Sequence, residues 1–202
     1  MKKSFIFIML FTPSVLFSQN NSFFFDYNWD HIGDNTELGF QKKINNHFIS
    51  GGLLYFLNFT YDKNNHWSFK RQYYASDFKE HLGLDFTYKY FFRINNSDIE
   101  PYAFYSIHLF KNRIKYDGIL IPYGRINNKP LYYEFNALYK PSFSMQNTIG
   151  LGVKFPIYKN IDLFAQAGVG FVRLKYMNNI FDPSVSFTVG AVYNQIKKQW
   201  KK

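Results

Sequence analysis

The chain contains no cysteine. That excludes disulfides, thiolate metal sites and a lipid anchor on a modified cysteine. Long apolar runs are missing too. No segment approaches the ~18 consecutive apolar residues of a membrane-spanning helix. Acidic residues are sparse: 14 Asp and Glu stand against 24 Lys and Arg, a formal charge of +10. Such an excess suits nucleic acid or a phosphate-rich surface. Nothing in the chain forms a recognised nucleic-acid module, so lipid or lipopolysaccharide phosphate is the expected counter-charge and nucleic acid is not an expected partner.

What is abundant is aromatic and alternating. Phe, Trp and Tyr make up 22% of 202 residues, more than a small core needs. The stretch 148–193 sets Ile149, Leu151, Val153, Phe155 and Ile157 against Thr148, Gly150, Gly152 and Lys154. Leu163, Ala165, Ala167, Val169 and Phe171 then oppose Asp162, Gln166, Gly168 and Gly170, and Val185, Phe187, Val189 and Tyr193 oppose Ser184, Ser186, Thr188 and Gly190. A period of two gives each strand one greasy and one polar face. Residues 1–18 read as an export signal: Lys2-Lys3, an apolar run from Phe5 to Phe17, then Ser18. An exported chain with no spanning helix crosses a membrane only as a closed barrel, because lipid offers backbone polar groups no partner. The greasy faces are therefore expected to touch lipid. A soluble β-sandwich, with those faces as its core, is the competing expectation.

Residues 19–202 yield eight strand candidates: 22–29, 35–44, 47–61, 78–93, one from 100 onward, and three within 148–193. Short connections at Asn45-Asn46, 95–99 and Lys159-Asn160 alternate with longer ones at 30–34, 62–77, 116–142 and 177–183. That alternation suits an eight-stranded antiparallel transmembrane barrel with short periplasmic turns and longer external loops. Residues 131–139 also alternate. They are expected to form a hairpin arm outside the membrane, near 116–142, turning at Asn127-Asn128, with a ten-stranded barrel as the alternative.

The phrases 149–157 and 163–170 resemble the outer-membrane β-barrel families of Gram-negative bacteria, the opacity-type and OmpA-like porins. The resemblance implies an eight-stranded barrel in the cell outer membrane, without enzymatic activity or cofactor. Members often end on an aromatic residue, whereas this chain runs on as Gln199-Trp200-Lys201-Lys202.

The residues suggest three sets of sites. Asp26, Glu37, Lys43, Lys79, Asp85, Lys89 and Lys154 fall on predicted inward positions. An eight-stranded lumen is only wide enough for side chains, so these charges should pair into a plug. Lys111, Arg113 and Lys115 continue the greasy face of the fifth strand, and Arg173 and Lys175 that of the seventh. They are expected to form a basic collar at the height of lipopolysaccharide phosphates. Trp67, Arg71, Tyr73, Tyr123, Arg125 and Tyr133 lie in the long connections and offer aromatic platforms to a surface glycan or a larger outer-membrane assembly. A lipid A deacylase or acyltransferase is the enzymatic alternative. Against it, Ser106 and His108 stand in the reverse of the deacylase order, on the lumen face. The other histidines show no metal-ligand spacing.

Overall fold

A computed structural model describes residues 21–30, 32–57, 71–75, 77–94, 97–138, 140–174 and 181–195. The export segment, residues 58–61 of the third predicted strand, most of loop 62–77 including Trp67, and Lys175 and Trp200 lie outside the described residues.

The strands are β1 (Asn21–Asp30), β2 (Asp34–Ile44), β3 (His47–Phe56), β4 (Arg71–Tyr74) and β5 (Leu82–Phe91). They continue as β6 (Glu100–Ile126), β7 (Lys129–Leu138), β8 (Ser142–Tyr158), β9 (Ile161–Leu174) and β10 (Phe181–Asn194). Antiparallel ladders join β6, β5, β3, β2, β1, β10, β9 and β8 in that order, and a β6–β8 ladder closes the ring. The barrel has eight strands. β4 and β7 pair only with the far half of β6 and stand outside the ring, which disposes of the ten-stranded alternative.

β6 serves two structures in succession. From Glu100 to Asn112 it pairs with β8 inside the ring. From Lys115 to Ile126 it pairs with β7 instead, through a hairpin at Asn127 and Asn128. Both turn residues have positive φ, 50° and 60°, which asparagine tolerates better than most side chains and which a tight hairpin turn requires. The hairpin leaves the end opposite to the Asn45-Asn46 and Lys159-Asn160 turns.

The fourth predicted strand starts later than its alternation suggested. The Asp77 carboxylate accepts the backbone N–H groups of Lys79 (3.0 Å) and Glu80 (3.2 Å). This caps a single 3-10 turn over Phe78–Glu80. A side chain that captures the next two amides offers the backbone an alternative to the sheet, so β5 begins only at Leu82.

Aromatic side chains, rather than charge alone, fill the barrel. Phe24, Phe48, Phe56, Phe91, Tyr102, Phe104, Phe110 and Phe164 are all buried in the lumen. Five of these rings lie directly across a strand pair from a glycine: Phe24 from Gly39, Phe110 from Gly83, Phe104 from Gly150, Tyr102 from Gly152 and Phe164 from Gly190. A Cβ on Gly39, Gly150, Gly152 or Gly190 would run into the ring opposite, and one on Gly83 would press on the Phe110 Cβ and the Leu109 carbonyl oxygen. Each missing side chain is thus the space its cross-strand neighbour occupies.

Candidate functional site: the lumen plug and the external arm

The polarity of the wall is inverted relative to a soluble protein. On β8, Thr148, Gln146 and Lys154 are buried inside, while Leu151 is 67% exposed outside. Val169, Val185 and Phe187 are exposed on the same surface. Outward Tyr88, Tyr90, Phe92, Tyr158 and Tyr193 gather near the short-turn end, and Trp29, Tyr55, Phe143 and Phe171 near the other. An aliphatic belt between two aromatic girdles matches the dimensions and polarity of lipid. This is a transmembrane β-barrel of the outer-membrane type.

Inside the barrel, register creates contacts that linear spacing did not reveal. Asp85 lies directly across from His108, and Thr87 across from Ser106. As a result, one Asp85 oxygen accepts from the Ser106 hydroxyl (2.7 Å) and the Thr87 hydroxyl (2.9 Å). The same oxygen meets His108 Nε2 at 3.1 Å. Ser106 and His108 therefore both address the carboxylate rather than each other. Asp26 lies across from Glu37 on the neighbouring pair. Asp26, Glu37, Asp85, Lys89 and His108 all line one internal cavity of about 10 Å³, about the room a single water needs.

Lys89 is held by aromatic faces. Its Nζ stands 4.5 Å from the Phe164 ring centroid, 5.4 Å from Tyr102 and 5.8 Å from Phe24. A desolvated ammonium gains on the order of 2 kcal/mol from such faces, and Asp26, Glu37 and Asp85 act on it electrostatically. Lys154 forms a second node toward the short-turn end. It pairs with Glu100 at 2.6 Å and Asp162 at 3.6 Å, and lies over Phe91 and Phe48. Glu100 and Asp162 were not among the charges singled out from sequence. Their signal was the Lys154 position itself, which lacked an acidic neighbour on its own strand.

Two expected lumen charges are elsewhere. Lys79 sits exposed on the 3-10 turn, because the Asp77 cap takes its backbone out of the strand. Lys43 keeps the inward phase but lies at the end of β2, beyond the packed interior. It is exposed there, with Nζ 5.5 Å from the Phe48 ring centroid.

The basic collar is likewise altered by the 3-10 turn. The turn carries Glu80 against β6, where both carboxylate oxygens accept from Arg113 Nε at 2.9 and 3.0 Å. Glu80 is fully buried and Arg113 partly so, so Arg113 is committed to an internal ion pair rather than presented to lipid phosphate. Lys111 is half-buried and Arg173 is exposed. The Lys115 backbone lies in the β4–β6 ladder opposite Gln72.

On the arm, Tyr123, Arg125, Lys129, Tyr132 and Tyr133 are exposed. The Tyr123 and Tyr133 rings sit 6.0 Å apart across the hairpin. The backbones of Arg71 and Tyr73 pair with Tyr116 and Ile114, so β4, β6 and β7 make one three-stranded sheet beyond the barrel.

No protein-family model matches the sequence, and no curated protein matches it either. Among solved structures, the fold is similar to Neisserial surface protein A (13% identity, TM-score 0.45), covering 87% of this chain and 94% of that one. It is also similar to the N-terminal β-barrel domain of Pseudomonas aeruginosa OprF (8% identity, TM-score 0.48), covering 87% and 98%. A third likeness is to outer membrane protein H of P. aeruginosa (10% identity, TM-score 0.46), covering 86% and 98%. The barrel assignment itself rests on the closed ladder and the inverted polarity of this chain.

Proposed function

We propose that this protein is a sealed, non-enzymatic barrel of the cell outer membrane, exported by residues 1–18, that mounts an external sheet for binding acidic polysaccharide at the cell surface. The observation that carries this reading is the unbroken course of β6 from the lumen wall into the arm. At roughly 3.3 Å per residue, the stretch from Arg113 to Ile126 reaches on the order of 40 Å along its axis. A strand shared by barrel and arm ties the two by continuous backbone, with register shifts in the arm at Tyr116/Ile119 and Pro122/Gly124, and this limits the conformational entropy lost when a ligand binds.

The chemistry of the arm suits sugars bearing negative charge. Tyr123 and Tyr133 offer ring faces that stack on the apolar faces of pyranose rings, and Arg125 and Lys129 offer charge-assisted donors. Lys111 and Arg173 at the rim suit the phosphates of lipopolysaccharide just below. Lys115 and Lys175 belong to the same reading by sequence position.

Detergent-solubilised protein, passed over immobilised lipopolysaccharide and over uronate-rich polysaccharide, tests the proposal. Binding that falls at least about tenfold in Tyr123→Ala/Tyr133→Ala, with the barrel still folded, supports it. Retention of a stoichiometric protein partner through the same arm, with no polysaccharide binding, replaces it with the assembly reading.

A further inference from the structure

We propose that the barrel interior is a binding site for one divalent transition-metal ion of the zinc class, held by Glu37, Asp85 and His108. This goes beyond the polysaccharide reading and does not depend on it.

The three residues come from β2, β5 and β6, and each offers one donor atom, all within 4.8 Å of one another. They are brought together by register alone. Asp85 and His108 are cross-strand partners, and Glu37 is reached through the Gly52–Asp85 pair of the intervening β3. Glycine at 52 leaves room for the Glu37 carboxylate, which an added Cβ would displace from its place beside Asp85.

Unpartnered buried atoms supply a second observation. Among the described residues, Asp26 Oδ1 and Glu37 Oε1 have no hydrogen-bond partner, and both residues are more than nine-tenths buried. Both line the same small cavity as Asp85 and His108. Buried polar atoms are normally satisfied, and a cation held between them would satisfy both oxygens. Charge points the same way. Three carboxylates line the cavity with one ammonium and one imidazole, and uncompensated buried negative charge is costly. A bound dication supplies the missing positive charge.

One imidazole nitrogen and two carboxylate oxygens favour zinc-class ions over magnesium or calcium, which prefer oxygen alone. The His108–Asp85 separation of 3.1 Å is close to the ~3.3 Å between donors that share one tetrahedral ion at about 2.0–2.1 Å. The hydroxyls of Ser106 and Thr87 hold the Asp85 carboxylate in place. Asp26 is left facing the ion from across the cavity, as a further counter-charge.

The test uses the full chain purified in mild detergent, stripped with chelator and refolded with Zn²⁺ alone. Metal content is measured by mass spectrometry after exhaustive desalting, and folding is checked by gel mobility with and without heating. The expected result is about one ion per barrel, retained on desalting, with a raised Tm. Glu37→Gln and His108→Gln should each weaken retention at least about tenfold, and Ser106→Ala roughly tenfold, as expected for a group that orients a ligand. His47→Gln, on the outer face, should leave retention unchanged. Where a lumen variant folds poorly, the ligand-field spectrum of the Co²⁺-loaded native protein gives a second readout: it should report nitrogen and oxygen ligands. Retention of less than about a tenth of an ion per folded barrel overturns the proposal. So does retention unaffected by both Glu37→Gln and His108→Gln.

Discussion

Substituting Gly152 by alanine should destabilise the barrel only while Tyr102 is present. Gly152 lies across from Tyr102, and its ideal Cβ would stand 2.6 Å from the hydroxyl and 2.7 Å from Cε2. The three nearest atoms all belong to that one ring, and none to backbone. Tyr102 is itself 1% exposed and its hydroxyl donates to Gln166 at 3.0 Å, so the ring cannot swing away without losing a partly buried hydrogen bond. In an open strand position, glycine to alanine gains about 0.5–1 kcal/mol from reduced backbone entropy in the unfolded chain. Forcing a methyl group into an occupied interior costs about 1–3 kcal/mol. Gly152→Ala should therefore cost about 1–2 kcal/mol in the native background. In Tyr102→Leu, which lacks the Cε2, Cζ and hydroxyl atoms, it should be neutral or slightly stabilising. The coupling of about 2 kcal/mol is measured by urea unfolding of the four proteins refolded into lipid vesicles. Equal cost in both backgrounds would show that glycine at 152 does not serve the ring, and the account of the packed lumen would fall with it.

Other outcomes follow from the same geometry. Leu151→Arg, near the middle of the β8 belt, should cost about 2–4 kcal/mol in vesicles, whereas an equally exposed leucine on a soluble protein would tolerate arginine at almost no cost. Arg113→Met should cost about 1–3 kcal/mol, because the buried Glu80 carboxylate loses the charge-assisted bonds it accepts from Nε. Glu80→Gln keeps an amide oxygen that still accepts from Nε and should cost less; vesicle unfolding curves of the two variants give the order. With an internal cavity of about 10 Å³, single-channel recordings in planar bilayers should show no current above background. Steady conductance would contradict the sealed lumen.

The face that meets lipid was legible in the sequence. Alternation is a local property: successive side chains of a strand point to opposite sides whatever the strand pairs with. Leu151, Val169 and Phe187 could therefore be assigned outward from their neighbours alone, and the exposed positions agree. The count of eight followed from the spacing of turns, because a chain that must leave no free edge in lipid has few ways to close.

Who meets whom inside the barrel is a different kind of fact, decided only by tertiary structure. Asp85 and His108 lie on adjacent strands, but shifting their ladder would bring other side chains together and remove this contact. Sequence placed Ser106 and His108 on the lumen face and Asp85 on another strand. Only register joined all three on one oxygen atom. The same holds for Phe104 over Gly150 and Phe164 over Gly190, pairs separated by tens of residues whose fit becomes visible once the barrel closes. Lys79 and Arg113 mark the limit from the other side. A single Asp77 cap, worth two hydrogen bonds, overrode an unbroken alternation, turned Lys79 out to solvent and delivered Glu80 to Arg113. The facing of a strand is set by covalent geometry two residues at a time, whereas its partners are set by closure of the whole ring.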